Sequence, residues 1–133
     1  MRRTSTGINL VLLALGLAFS LSACQAQKSD PAAQTVLAYL KARTQSDETQ
    51  MINLSCPDWE AGAKTEAASF KSMNAKLDGV TCQTASGDEN AAVVTCQGKI
   101  VTAYNGETRE WPLAAFKYNL VHQDGEWRMC GYK

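Results

Sequence analysis

The chain has 133 residues, of which 45% are apolar, and its 13 basic side chains balance its 13 acidic ones. This length allows one domain with a real hydrophobic core and leaves no room for a second domain of ordinary size. Because the net charge is zero and the basic residues are scattered, the composition gives the chain no electrostatic reason to bind nucleic acid.

The N-terminal residues have the layout of an export signal. Arg2 and Arg3 supply a positive start, and the uncharged stretch 8–21 is dominated by Leu, Ala and Val. Such a stretch is shorter than the ~20 residues of a permanent transmembrane helix, but it suits the apolar region of a secretory signal peptide. We therefore predict that residues 1–23 are removed during export.

The signal ends in Leu21-Ser22-Ala23-Cys24, which resembles the lipobox of bacterial lipoproteins. The resemblance implies that Cys24 is the first residue of the mature protein and carries a diacylglyceryl group, so that the membrane is a partner of this chain. It also implies a location in the cell envelope outside the cytoplasm. Gln25 favours the outer membrane facing the periplasm if the source is Gram-negative. The alternative is an ordinary secretory signal that happens to contain a cysteine.

The mature chain divides into a tether and a domain. Removal of the first 23 of 133 residues leaves 110, which fits a single domain. Residues 24–30 form the lipidated cysteine and a polar tether that reaches less than about 20 Å. The domain, residues 31–133, is therefore expected to lie close to the membrane surface.

Three helices are predicted in the first part of the domain. The first begins with Asp30 as its N-cap and Pro31 at the first helical position, and a shorter second helix begins at 46–48. A third begins at Pro57 and stops at Gly79, a typical C-terminal glycine. Its apolar stripe consists of Trp59, Ala63, Ala67, Phe70, Met73 and Leu77.

After the third helix the apolar period changes from 3.6 to two, which predicts four strands joined by tight turns. Asn105-Gly106 and Asp124-Gly125 are strong signals for two-residue hairpins. The apolar phase changes between these turns, so we predict a bulge near Pro112, where a sheet tolerates proline, and a strongly curved sheet. The register that follows gives three cross-strand pairs: Ile100 with Trp111, Leu120 with Met129, and His122 with Trp127.

Four cysteines remain after the lipobox, an even number that is typical of two disulfides in an exported domain. Three pairings are open. Cys82 and Cys96 flank the polar loop 85–90, and they face each other closely enough for a bridge if this loop closes a hairpin. That leaves Cys56 with Cys130. The register, however, puts Cys130 on the sheet face opposite Cys96, which conflicts with this second bridge.

Helices followed by strands predict an α+β domain, with N-terminal helices packed on a curved four-stranded antiparallel meander. The element order, the opening helix around Val36-Leu37-Ala38-Tyr39-Leu40 and the closing strand Gly125-Glu126-Trp127-Arg128-Met129-Cys130 resemble the NTF2-like superfold. The resemblance implies a bent sheet that wraps a long helix into a cone and can leave a pocket. A cystatin-like sheet over a helix is the nearest alternative.

Five side chains are candidates for a pocket inside such a cone, where isomerases and dehydratases of this superfold place Asp, Tyr or His. They are Tyr39, Tyr104, Tyr118, His122 and Trp127. His122 has no local partner that would orient it as a general base, and the tyrosines equally fit a core or its rim, so no catalytic residue is assigned. The sequence has no metal-ligand cysteine spacing and no glycine-rich phosphate loop, so neither a metal nor another cofactor is predicted.

Three functions remain open. The first is a non-catalytic envelope lipoprotein that binds a small ligand or an envelope protein. The second is a pocket enzyme of the isomerase or dehydratase type that the superfold implies. The third is a structural protein that assembles as a homodimer through its sheet. An exposed Trp111 would favour a ligand or partner surface. Because no catalytic constellation is evident, we expect the first function.

We predict that Cys24 carries the lipid. In a bacterial host grown with labelled palmitate, the full chain should incorporate the label, and Cys24→Ala should abolish incorporation because the acyl chains have no thiol to join. The matched control Cys82→Ala, which changes a cysteine inside the domain, should still be labelled. Equal labelling of Cys24→Ala and the wild type would contradict the prediction.

Overall fold

The computed structural model describes residues 28–133, so the predicted signal peptide, Cys24 and most of the tether lie outside the described residues. Three helices come first: α1 (Pro31–Thr44), α2 (Glu48–Asn53) and, after a 3-10 turn at Pro57–Trp59, α3 (Glu60–Phe70). Five strands follow: β1 (Lys76–Gly87), β2 (Ala91–Tyr104), β3 (Glu107–Pro112), β4 (Lys117–Gln123) and β5 (Glu126–Tyr132). Within residues 28–133, no helix is both long and apolar enough to cross a bilayer.

The first two helices begin where the sequence predicts. Asp30 caps α1 by accepting a hydrogen bond from the Ala33 backbone N–H at 3.1 Å, and Pro31 occupies the first turn. Asp47 caps α2 in the same way, accepting from the Gln50 N–H at 3.0 Å. Short-range capping chemistry is therefore enough to position both helix N-termini.

The third helix is shorter than predicted. It ends at Phe70 and does not continue to Leu77, because Ser72 and Asn74 adopt positive φ angles of 66° and 43° that a helix cannot contain. Leu77 lies on β1 opposite Ile100. The predicted boundary is wrong because Leu77 fits a period of 3.6 and a period of two equally well, and cross-strand pairing decides between them.

β1 and β2 approach each other closely at two glycines. Gly79, predicted as the stop of the third helix, lies within β1 with a φ of +60°, and Gly98 lies in β2 with a φ of +89°. A Cβ atom on Gly98 would come within 2.5 Å of the Gly79 carbonyl oxygen. The strand register shifts between Asp78 and Thr81. This is a β-bulge, a feature that bends a strand and increases its twist.

All five strands form one antiparallel sheet in the order β1-β2-β4-β5, with β3 pairing to β2. The long β2 has two further partners, β4 along Ala91–Thr95 and β3 along Lys99–Tyr104. The third of the four predicted strands is therefore two strands. They are divided by residues 113–116, where the Leu113 N–H donates to the Gly98 carbonyl at 3.0 Å. Between the pairs Lys99–Pro112 and Thr95–Lys117, residues 113–116 lie opposite the shorter β2 segment 96–98, so the extra residue predicted near Pro112 is confirmed. It lies in a break between two strands that run in the same direction along β2.

The predicted cross-strand pairs are confirmed. Asn105 and Asp124 have positive φ angles of 50° and 52°, as two-residue hairpin turns require. These turns place Ile100 opposite Trp111, Leu120 opposite Met129 and His122 opposite Trp127.

The core lies between the helices and one face of the sheet. Both disulfides and this core lie within residues 31–133. The largest fully buried side chains come from both layers: Tyr39, Leu40, Met51, Ile100, Leu113, Tyr118, Leu120 and Met129.

Both predicted disulfides are present. Cys82 and Cys96 are direct cross-strand neighbours on β1 and β2, with Cα atoms 4.1 Å apart. Cys56 is bonded to Cys130, with Cα atoms 5.4 Å apart. The helical half of the domain is therefore tied covalently to the last strand.

The register conflict over the second bridge disappears because residues 54–56 run beside the edge of β5. The Met129 N–H donates to the Leu54 carbonyl at 2.7 Å, and the Cys56 N–H donates to the Met129 carbonyl at 2.8 Å. Cys56 therefore approaches Cys130 along the edge of β5. A bridge at this edge can form whichever face of the sheet Cys130 lies on.

The Cys56–Cys130 bridge should stabilise the domain more than the Cys82–Cys96 bridge, because the separations are 74 and 14 residues. Loop-closure entropy assigns them about 4.5 and about 3 kcal/mol. In urea unfolding of residues 25–133, Cys56→Ala/Cys130→Ala should therefore lose roughly 1.5 kcal/mol more free energy of unfolding than Cys82→Ala/Cys96→Ala. A larger loss for the second pair would contradict loop closure as the main contribution.

Candidate functional site

A cavity of about 190 Å³ lies where α1 and α3 end, beside the turn 113–116. We call it the Arg43 cavity. Trp111 is 46% exposed and marks the place where the cavity reaches the surface. Cavities of about 150 Å³ hold benzene, whereas drug-sized ligands occupy about 300–1,000 Å³, so there is room for a single ring. The lining is largely apolar: Arg43, Ser69, Phe70, Met73, Ile100, Trp111, Leu113 and Phe116.

Arg43 is the one charged side chain among these eight lining residues. It lies in the last turn of α1, where a cation interacts favourably with the helix dipole. Its guanidinium carbon is 4.6 Å from the Phe70 ring centroid and 5.6 Å from that of Tyr132, so two cation–π contacts hold it. Its Nη2 is 3.6 Å from Oε1 of Glu66. Its Nε is buried and has no hydrogen-bond partner among the described residues.

Glu66 on α3 is the centre of a partly buried polar cluster beside the cavity. The Tyr39 hydroxyl on α1 donates to Oε2 at 2.7 Å, and the Tyr132 hydroxyl on β5 donates to Oε1. Trp59 Nε1–H donates to the Tyr39 oxygen at 2.9 Å. We call Tyr39, Trp59, Glu66 and Tyr132 the Glu66 cluster. It joins α1, the 3-10 turn, α3 and β5 through one carboxylate.

The tyrosines near this carboxylate are held in their neutral form. Burial and the hydrogen bonds to Glu66 raise the pKa values of Tyr39 and Tyr132 above the ordinary value. Burial also raises the pKa of Tyr118 to about 12. The ring centroids of Tyr118 and Tyr132 are 5.5 Å apart, but the buried Tyr118 hydroxyl has no hydrogen-bond partner in the described part of the chain.

Arg43 offers hydrogen-bond donors to a ligand in the cavity, whereas Glu66 is not placed to act on such a ligand as a base. Glu66 is not part of the cavity lining, and both of its oxygens already accept hydrogen bonds from tyrosines. A general base must reach the proton that it removes, and Glu66 does not reach into the cavity from this position. Within residues 28–133, no three His, Cys, Asp or Glu side chains are arranged to hold a metal ion.

The five predicted pocket side chains lie in three places. Tyr39 and Tyr118 are fully buried in and beside the Glu66 cluster, and neither lines the cavity. Tyr104 is 56% exposed and lines a neighbouring groove of about 250 Å³. His122 and Trp127 stack on each other near the last hairpin turn, with ring centroids 4.9 Å apart. The five do not form one pocket, because strand register determines the face that a side chain takes but not where the core stays open.

Arg43 and Glu66 are the functional candidates that sequence reasoning missed. Arg43 follows Leu40 by three positions, and Glu66 lies three positions after Ala63 and four before Phe70. Residues at these spacings share one helix face. Opposite charges on the apolar faces of two helices were therefore the signal that could have revealed the pair.

No protein-family model and no curated protein matches the chain, whereas solved structures do. A ketosteroid isomerase-like protein from Erwinia carotovora atroseptica is 13% identical, with a TM-score of 0.59 over 77% of this chain and 90% of that one. A proposed dehydratase of the NTF2-like family from Streptomyces avermitilis is 12% identical, with a TM-score of 0.57 over the same shares. An NTF2-like protein with a cystatin-like fold from Novosphingobium aromaticivorans is 11% identical, with a TM-score of 0.54 over 77% of each chain. The domain therefore has the predicted NTF2-like α+β fold, and identities this low carry the fold alone.

Tyr39→Phe and Tyr118→Phe form a matched pair, since each removes one buried hydroxyl. Tyr39→Phe removes a donor to Glu66 and an acceptor for Trp59, so it should lower the free energy of unfolding by about 1–3 kcal/mol. Tyr118→Phe removes a hydroxyl that has no partner within residues 28–133, so it should lower that energy by less than about 0.5 kcal/mol, or raise it. Urea unfolding at pH 7 measures both. Equal losses would contradict the role given to the Glu66 cluster.

Proposed function

We propose that this chain is an exported, membrane-anchored lipoprotein of the cell envelope, whose domain binds a small, largely apolar ligand in the Arg43 cavity without transforming it. The anchoring part rests on the sequence: a positive start, an apolar stretch and a lipobox-like end at Cys24. The two disulfides support export, because such bonds persist in oxidising compartments and are rare in the cytosol.

The observation that carries the binding function is a preformed cavity whose lining is largely apolar, with Arg43 and Ser69 as its polar side chains. Ligand sites combine mostly apolar linings with a few placed polar groups, and here Arg43 is the charged one. Protein cores are normally close-packed, and an open cavity lowers stability. A cavity kept open at the surface beside Trp111 therefore favours a role in binding.

Binding without catalysis is supported by where the acid–base groups lie. His122 is exposed and stacks on Trp127, away from the residues that line the cavity. Glu66 is engaged by two tyrosines. The isomerase-like and dehydratase neighbours are only 12–13% identical to this chain, so their names do not carry a reaction to it.

The test is ligand binding by residues 25–133, exported to an oxidising compartment and followed through the amide chemical shifts of ¹⁵N-labelled protein. Toluene, phenol, benzamide and benzoate serve as single-ring probes. At least one should shift the amides of Phe70 and Leu113, which border the cavity, far more than those of His122 and Trp127.

Two neighbouring positions on α3 provide the control. Ser69 lines the cavity, so Ser69→Trp should fill it and abolish the shifts, whereas Ala68 does not line it and Ala68→Trp should leave them unchanged. The binding site would be overturned by the absence of shifts at the lining amides with every probe, or by shifts that survive Ser69→Trp. Conversion of a probe by the wild type but not by His122→Ala would overturn binding without catalysis.

A further inference from the structure

Arg43 makes one part of the cavity wall positive while the rest stays apolar. It is the one charged residue among the eight that line the cavity. The Glu66 carboxylate faces the guanidinium from outside the lining, with Oε1 3.6 Å from Nη2. A ligand in the cavity therefore meets a cation directly and does not meet a carboxylate directly.

The domain does not supply enough acceptors for this guanidinium. Arginine carries five N–H donors and no acceptor. The 3.6 Å separation from Glu66 is longer than a hydrogen bond, and the Glu66 oxygens accept from Tyr39 and Tyr132. The Arg43 Nε is buried without a hydrogen-bond partner within residues 28–133. The Phe70 ring centroid is 4.6 Å from the guanidinium carbon and Nε is enclosed, so the terminal Nη groups are the donors left for a ligand.

We infer that the ligand of the Arg43 cavity is a small monocarboxylate, with one acid group and a compact apolar body. This inference rests on the proposed binding function of the same cavity. The two carboxylate oxygens match the planar fork of the Arg43 guanidinium, and charge assistance strengthens these hydrogen bonds. The apolar body packs against Phe70, Ile100 and Leu113.

The size and polarity of the wall argue against other ligand classes. A volume of about 190 Å³ suits a body the size of one ring. A phosphate or sulfate group has additional oxygens, which would face apolar side chains without donors and lose their hydration. A purely apolar molecule would offer no acceptor to the terminal Nη donors of Arg43, the charged residue of the lining. A monocarboxylate avoids both penalties.

Glu66 has two opposing effects on such a ligand. It fixes the guanidinium from one side, which favours binding because Arg43 is already ordered. Its negative charge also repels a second carboxylate that approaches the same cation. Removing the charge while keeping the shape, as in Glu66→Gln, should therefore strengthen binding of an anionic ligand and leave binding of a neutral one little changed.

The decisive comparison is between benzoate and benzamide, which have the same shape and differ in charge. In residues 25–133, titrations followed at the Phe70 and Leu113 amides should show benzoate binding at least about tenfold more tightly than benzamide. Arg43→Met, which keeps an unbranched apolar stem and removes the charged guanidinium, should bring this ratio to about one. Arg43→Lys, which keeps the charge without the fork, should retain part of it, and Glu66→Gln should raise it.

The outcomes separate this inference from the proposed function. A ratio near one in the wild type, or a ratio unchanged in Arg43→Met, overturns the monocarboxylate while binding in the cavity stands. If no probe changes the amide chemical shifts, the proposed binding function itself is overturned. If Arg43→Met does not fold, the test uses the benzoate-to-benzamide affinity ratio of the wild type and its change in Glu66→Gln. A wild-type ratio near one, or no rise in Glu66→Gln, then overturns the monocarboxylate. Benzoate binding that survives Ser69→Trp places the anion at another surface cation and overturns the inference.

Discussion

The hydrogen bonds to the largely buried Glu66 carboxylate are the interaction on which the arrangement of this domain depends. A charge that leaves water is tolerated only where donors or an opposite charge surround it, and Glu66 takes its donors from Tyr39 on α1 and Tyr132 on β5. One carboxylate on α3 therefore sets how two helices lie against the last strand. Trp59 extends the network to the 3-10 turn that follows Cys56, whose disulfide reaches the same strand.

The cavity follows from two features that this arrangement brings together. Arg43 is held between Glu66 and the Phe70 ring, so its guanidinium becomes part of a wall and does not extend into solvent. The turn after Pro112 brings Leu113 into the core. Trp111 stays half exposed at the rim, and its Nε1–H donates to the Thr102 hydroxyl at 3.1 Å. The cavity thus lies where the C-terminal ends of α1 and α3 meet the break between β3 and β4.

Asp30 and the Arg43 cavity lie at opposite ends of α1. At the N-terminal end, Asp30 accepts hydrogen bonds from the backbone N–H and the hydroxyl of Thr84, both at 2.7 Å, which joins the start of the helix to β1. Arg43 lies in the last turn of the same 14-residue helix, about 20 Å away at 1.5 Å per residue. The contact with β1 and the Arg43 cavity are therefore at opposite ends of this helix.

The sequence by itself determined the features that depend on neighbouring residues: the cap at Asp30, the start of the second helix, the two hairpin turns with the strand register that follows from them, and the Cys82–Cys96 bridge across the loop 85–90. These could be predicted because each is set by chemistry within a few positions or by simple alternation. Only the tertiary structure decided where α3 ends, that Pro112 closes a strand, and that Arg43 meets Glu66 beside a cavity. The physical reason is that each of these depends on partners far away in the chain, and local periodicity contains no information about such partners.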